Sequence, residues 1–258
     1  MTINLSICHA TIFSVVLVVA CSACGTAATA PSTQAPVSIA PTFNILLFSK
    51  TAGFRHDSIP AGIAAVQQQG RVRGFTVDPT EDGAVFSDAT LTRYKVVVFL
   101  STTGDVLNGA QQAAFERFIR GGGGFVGVHS AADTEYDWPF YGALMGAYFA
   151  SHPDIQSATI QIEDATHPTT AGLPRNWPRR DEWYNFQANP RGSVTVLATL
   201  DERTYSGGTM PADHPVMWSH TYQGGRAWYT AGGHTIESFS EPPFVDQLGK
   251  AIAWAASP

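Results

Sequence analysis

From residue 43 onward the chain alternates between short, continuously apolar runs and segments with helical spacing. "FNILLFS" (43–49) and "YKVVVFLST" (94–102) read as strands buried on both faces. "FTVD" (75–78) and "FVGVHS" (125–130) are shorter runs of the same kind. Helical segments lie between them. In "SIPAGIAAVQQQG" (58–70) Ser58 is placed to cap, Pro60 suits the first turn, Ile63 and Val66 share a face, and Gly70 ends the helix. In "NGAQQAAFERFIRGGGG" (108–124) Asn108 is the cap, Ala114, Phe115 and Phe118 face inward, and Gly121 is the stop. Strand and helix in alternation predict an α/β fold with a doubly wound, flavodoxin-like, mostly parallel sheet and helices on both faces.

The second half adds strands rather than crossovers. "ATIQIED" (158–164), "SVTVLATL" (193–200), "HPVMWSHTY" (214–222) and "GRAWYTAGG" (225–233) are strand-like, with a hairpin signal at Tyr222–Arg226. "PPFVDQLGKAIAWAA" (242–256) closes the chain as an amphipathic helix with Phe244, Leu248, Ile252 and Trp254 mostly inward. There is no internal repeat and no linker to a second domain.

The first 42 residues follow a different pattern. "ATIFSVVLVVACSACG" has the length and small-residue end of an export signal, although "MTINLSICHA" before it carries no Lys or Arg. Val18-Val19-Ala20-Cys21 resembles a lipobox, with Cys24 as a second choice. Residues 1–24 are therefore expected to be a signal region and 25–42, rich in Ala, Pro, Ser and Thr, a flexible linker to a domain over 43–258. The protein is expected to be exported, as a cell-envelope lipoprotein or a secreted protein, and to meet a membrane only through an N-terminal lipid anchor. All three cysteines, Cys8, Cys21 and Cys24, fall in this leader, which removes disulfides, thiolate nucleophiles and cysteine–zinc sites from the domain. A net charge of -6 without a basic block argues against a nucleic-acid surface.

Chemistry is concentrated where strands end, which is where a doubly wound sheet builds its sites. His56 follows the first strand, His129 ends the fourth, and His234 follows the last core strand with Glu237 three residues on. A strand-end histidine also serves as a hydrogen-bonding plug, and the His-Pro pairs at His152, His167 and His214 favour turns. "DEWYNF" (181–186) places Asp181 and Glu182 beside Trp183 and Tyr184; with Trp138 these rings are candidates to stack on a sugar, or to belong to the core. His129, Asp133 and Glu182 are the catalytic candidates, and His56, Trp138, Trp183, Tyr184, His234 and Glu237 the candidate substrate-binding residues. There is no H-E-x-x-H or H-x-H, but His56, His129 and His234 are candidate ligands for a divalent metal such as zinc. The glycines at 121–124 precede a strand, so they form a helix-to-strand turn and not a phosphate loop.

Six stretches, "SKTAGFRHDSI", "GFVGVHSAADT", "GAYFASHP", "DEWYNF", "DHPVMWSH" and "GRAWYTAGGHTIESF", occur in an order that resembles the ThuA-like, or trehalose-utilisation, family from about Phe43 to Ser257. The resemblance implies a fold like that of class I glutamine amidotransferases, in which the sharp turn G-x-C-x-G presents a nucleophilic cysteine. Gly127-Val128-His129-Ser130-Ala131 stands in that place here. Without a thiol, glutamine hydrolysis through a thioester is ruled out, and Ser130 is one residue off the tip. The resemblance further implies carbohydrate catabolism. A 3-keto-glycoside has acidified protons beside its ketone, and a histidine, a carboxyl group and a metal could enolise it, leading to isomerisation, elimination or hydration. The expected function is an exported enzyme acting on a sugar or oxidised (keto) glycoside; the alternatives are a non-catalytic carbohydrate-binding lipoprotein and a metal-dependent hydrolase. Geometrically, His56, His129 and His234 should line one pocket with Asp133 or Glu182, with His167 and His220 outside it.

The leader generates one expected outcome. Mass spectrometry of the mature protein should find Cys21 as its modified first residue, because a small residue directly precedes it and an apolar one stands three before it. A chain beginning at Cys24, or cleaved beyond Ala30, overturns that assignment.

Overall fold

The structure, a computed structural model, describes residues 42–211 and 213–257, so the leader, the linker and Cys21 lie outside the described residues. In chain order, β1 (Phe43–Phe48), α1 (Ile59–Arg73), β2 (Phe75–Thr80), α2 (Asp88–Leu91), β3 (Val96–Leu100), α3 (Gly109–Arg120) and β4 (Gly124–Val128) form the alternating half. Then come α4 (Pro139–Met145), β5 (Phe149–Ser151), β6 (Gln156–Ile162), β7 (Asn176–Asp181), β8 (Asn185–Phe186), β9 (Thr195–Asp201), β10 (Pro215–Tyr222), β11 (Gly225–Thr230) and α5 (Pro242–Ala255). No described helix is long and apolar enough to cross a membrane.

One nine-stranded sheet runs β2-β1-β3-β4-β11-β10-β9-β6-β7, and β5 pairs with β8 in a separate two-stranded sheet. The ladders joining β2, β1, β3, β4 and β11 are parallel. Those joining β11, β10, β9, β6 and β7 are antiparallel. The doubly wound core and the added C-terminal strands thus share one sheet. Alternation of side chains across β3 divides the core into two layers. Phe99 packs on Phe115 of α3 and Tyr141 of α4, while Leu100 abuts Gly62 of α1 on the other face. There α1 also packs against α5.

The expected helix boundaries need two corrections. Gly70 does not end α1; Gly74 does, in a left-handed conformation with φ 76°. Gly70 sits inside the helix because a Cβ there would come within 2.5 Å of the Phe75 carbonyl oxygen. Ser58 makes no side-chain cap; its backbone is already helical and its hydroxyl donates to the Gly233 carbonyl at 3.0 Å. Asn108 does cap α3, accepting from the amides of Ala110 and Gln111 in a reciprocal capping box. Its removal should be felt only locally: Asn108→Ala is expected to lower stability by about 1 kcal/mol in denaturant unfolding. A loss of less than ~0.3 kcal/mol would show that the cap is not a stabilising contact.

Candidate metal centre

The parallel core brings the C-terminal ends of β1, β4 and β11 to one end of the sheet. β4 and β11 are neighbours, and β1 lies two ladder steps from β4, about 10 Å away. β7 is antiparallel to β6, β6 to β9, β9 to β10 and β10 to β11, so β7 also ends there. In a flat sheet β7 would lie about 19 Å from β11. Instead, Asp181 at the end of β7 accepts the Gly233 amide at 2.8 Å, so the antiparallel half must roll back over the site.

Asp181 is fully buried and holds the loop after β11. Besides Gly233 it accepts the amides of His234 and Thr235 and the Ser238 hydroxyl, at 2.8–3.3 Å. Its charge partner is the buried Arg179 guanidinium, 3.5 Å away, which also donates to Glu241 at 2.7 Å and stacks on Phe244. Gly233 has φ 117°, which lets the chain turn back under this carboxylate. The next residue in the 181–186 segment, Glu182, comes down onto the histidines.

His129 stands directly after β4 with φ 53°, the strained left-handed conformation of a sharp elbow. Its ring is completely buried. Nδ1 lies 2.8 Å from the Ala231 carbonyl oxygen, which can only accept, so Nδ1 carries the proton and Nε2 presents a lone pair. That lone pair faces His56 Nε2 at 3.1 Å, His234 Nδ1 at 3.2 Å and Glu182 Oε2 at 3.5 Å. His234 Nδ1 and Glu182 Oε2 are 3.1 Å apart. One donor atom from each of the four residues lies within 4.8 Å of all the others. Donors about 2.0–2.2 Å from a common ion stand about 3.3 Å apart in a tetrahedron and about 3 Å apart at adjacent octahedral positions. These four separations span 3.1–3.5 Å. One cation would satisfy all four donors, whereas a single lone pair on His129 cannot accept from every neighbour.

The electrostatics suit such an ion at His56 and Glu182 and oppose it at His234, whose proton a bound ion has to displace. Burial, reinforced by the His129 and His234 rings, pushes the His56 pKa down to about 3, keeping it a neutral donor. Burial opposes ionisation of Glu182, but the His129 and His234 rings outweigh it and hold the carboxyl at about 2. Burial lowers the His234 pKa, yet the Glu182 carboxylate more than compensates and the net direction is upward. A ligating histidine typically donates its second N–H to a carbonyl or carboxylate, as His129 does to Ala231.

Beside this cluster opens a cleft of about 200 Å³ lined by Phe54, His56, Asp133, Phe149, His152, Glu182, Tyr184 and His234. Asp133 is therefore at the cleft wall but outside the four-residue cluster, its Oδ1 accepting the Tyr136 hydroxyl at 2.6 Å. Tyr184 stacks on His129 with ring centres 4.3 Å apart. The other aromatic candidates are elsewhere. Trp138 is buried against Phe115 and Tyr141 and donates to Glu116. Trp183 is fully buried and donates to the Gln156 carbonyl. Both are buried core residues and neither lines the cleft. Glu237 is exposed on a short helical turn and does not line the cleft, since Asp181 and not Glu237 secures the His234 loop. His167 packs on Trp254 and His220 bonds to the Leu144 carbonyl, both outside the cleft.

Sequence reasoning missed three participants. His152, read as a turn residue, lies with Nδ1 3.1 Å from Glu182 Oε1. Phe54 follows β1 in the same loop as His56 and is 66% exposed at the cleft. Asp181 was only one of a pair of acids. Its inward position follows from the alternation of Trp177, Arg179 and Asp181 along β7, a signal obscured because two of the three inward residues are charged.

Comparison with known proteins gives the same fold. The family model described as ThuA, trehalose utilisation, matches residues 44–255. A ThuA-like protein from Bacteroides uniformis superposes with a TM-score of 0.71 at 25% identity, over 88% of this chain and 95% of that one. A ThuA-like protein from Parabacteroides merdae gives 0.67 at 20% identity, over 84% and 90%. A beta-galactosidase from Bacillus circulans shares the fold at 15% identity, with a TM-score of 0.54, over 82% of this chain but 31% of its own. No curated protein matches the sequence.

The Asp181 clamp has a measurable consequence. Asp181→Ala leaves Arg179 without its buried partner and strips the acceptor from four backbone amides, those of Glu182, Gly233, His234 and Thr235. It is expected to cost about 3–5 kcal/mol in denaturant unfolding. A loss below ~1 kcal/mol would mean that the His234 loop is held by other contacts.

Proposed function

The chain belongs to the ThuA family, whose members are related to carbohydrate utilisation, and from that premise we propose that it is a carbohydrate-active enzyme with a divalent metal held by His56, His129, Glu182 and His234. One observation carries the reading: four donor atoms from four distant parts of the chain converge within 4.8 Å. Imidazole and carboxylate donors suit zinc and also manganese, iron or nickel. The convergence favours an enzyme over a carbohydrate-binding lipoprotein, whose function would not need buried ligands.

The proposed substrate is a sugar or oxidised (keto) glycoside. A divalent metal at this position would supply Lewis-acid polarisation of a ketone oxygen. The chain's residues do the remaining work. Asp133, with Oδ1 held by Tyr136, uses Oδ2 to take the acidified proton from the carbon beside the ketone, and the electron pair moves to the ketone oxygen. Return of the proton to the former ketone carbon, while the hydroxyl on the deprotonated carbon gives up its own proton and becomes the new ketone, isomerises the sugar; departure of a glycosidic oxygen from the next carbon, taking up the proton held by Asp133, leaves an unsaturated ketone. Tyr184 and Phe149, packed at a tilt with ring centres 4.4 Å apart, keep water from this side of the cleft. Glutaminase chemistry has no place, because the elbow residue is His129 and no cysteine lies among the described residues. Export, with anchoring through Cys21, completes the proposal.

Elemental analysis of purified protein should find close to one transition metal per chain. His129→Ala should retain the fold, with a stability change within ~0.5–3 kcal/mol, and lose both the metal and turnover of oxidised disaccharides, the latter by about 100-fold or more. Protein that neither contains nor takes up zinc, manganese, iron, nickel or cobalt overturns the metal assignment. A metalloprotein that cleaves esters or amides but leaves oxidised sugars untouched would be a metal-dependent hydrolase instead.

A further inference from the structure

Phe54 is the most exposed large apolar side chain among the described residues, at 66%, yet its backbone is tightly held. The Thr103 hydroxyl donates to the Phe54 carbonyl at 2.8 Å, and the amides of Ala52 and Gly53 bond to Thr103. A bare ring on a fixed backbone gains nothing for folding, but it is well suited to cover a ligand. The ring crosses the His56 ring at 86°, with centroids 4.9 Å apart, so at least one of its faces is left free by that neighbour.

A second feature of the same cleft is Tyr184. Its side chain is nearly buried and packed on His129 and Phe149. No described residue hydrogen-bonds its hydroxyl, which keeps some contact with solvent where the residue lines the cleft. A hydroxyl that reaches solvent only at the cleft is free to donate to a ligand bound there. The third feature is charge. The lining holds two carboxylates, Asp133 and Glu182, three imidazoles, and no lysine or arginine. Phosphate and carboxylate groups are normally met by such cations.

We propose that the outer part of this cleft is a subsite for one uncharged, polyhydroxylated six-membered ring, with an apolar ring face against Phe54 and one oxygen accepting from the Tyr184 hydroxyl. The assignment rests on the reading of this cleft as a carbohydrate site, and it narrows the substrate class to neutral glycosides, excluding sugar phosphates and sugar acids. A volume of about 200 Å³ suits a single ring, with the remainder of a glycoside in solvent. Phe54 and Tyr184 are then specificity-determining residues that touch the sugar but not the metal.

The test is titration calorimetry on the full chain as purified, with methyl glucopyranoside and glucose 6-phosphate as probes and metal content measured on each sample. Methyl glucopyranoside should bind, and glucose 6-phosphate should bind no more tightly. Phe54→Ala should weaken the neutral glycoside about five- to tenfold, Phe54→Tyr should restore it, and Tyr184→Phe, which keeps the stacked ring, should weaken it about fivefold. Metal content should be the same in all three variants. Binding that follows Phe54 in protein without metal supports the subsite and overturns the metal reading alone. The subsite is overturned if methyl glucopyranoside does not bind, if Phe54→Ala binds like the parent, or if the phosphate ester binds more tightly than the neutral glycoside.

Discussion

The site depends on one buried ion pair. Arg179 and Asp181 project inward from β7, the edge strand of a nine-stranded sheet, and Asp181 reaches the loop after β11. This contact fixes the roll of the antiparallel half over the end of the parallel half. Without it, Glu182 would remain attached to a distant edge and His234 would sit on an untethered loop. Burying these two charges is costly in itself, so the pair is retained for position more than for stability. The compensation is visible in the partners of each group: Asp181 accepts from backbone amides and a serine, and Arg179 is shared with Glu241 and covered by Phe244.

The second constraint is at the elbow. β4 delivers His129 in a left-handed conformation, and the Ala231 carbonyl selects which ring nitrogen carries the proton. Backbone strain and tautomer together aim one lone pair at His56, His234 and Glu182. The elbow is the feature a cysteine nucleophile would use, but here the same geometry presents an imidazole from beneath. Strain at a buried, fully satisfied residue of this kind is commonly found where function and not folding sets the conformation.

The arrangement also explains why the cleft is small and aromatic. Tyr184 covers His129, Phe149 covers Tyr184, and Tyr136 reaches both Asp133 and the Phe149 carbonyl. The two-stranded β5–β8 sheet holds these residues as a separate wall beside the main sheet. The Tyr184 backbone is tied in turn to His214, which pairs with Glu202, so the wall is anchored from outside as well. The four-residue cluster and the cleft wall thus have separate supports, and changes at the rim need not disturb the cluster.

Much of this was legible in the chain. Uninterrupted apolar runs identified the parallel strands, because strands buried on both faces have no polar side to hide. The Asn108 cap and the order of strand-end histidines followed from local chemistry. So did the expectation that His56, His129 and His234 would meet, since parallel strands must end on one side. What local pattern could not carry was the curl of the sheet. β7 was invisible to hydropathy because Arg179 and Asp181 occupy its inward positions and Pro178 interrupts it, as an edge strand permits. The destinations of Trp138, Trp183 and Glu237 were likewise undetermined, since an aromatic or acidic residue near a strand end reads the same whether it turns inward or out. Sequence alone determined the strand-helix order and which histidines end at the same edge; only the tertiary structure, through the rolled antiparallel half and its buried ion pair, decided that Glu182 completes the cluster and that Phe54 and Tyr184 line the cleft beside it.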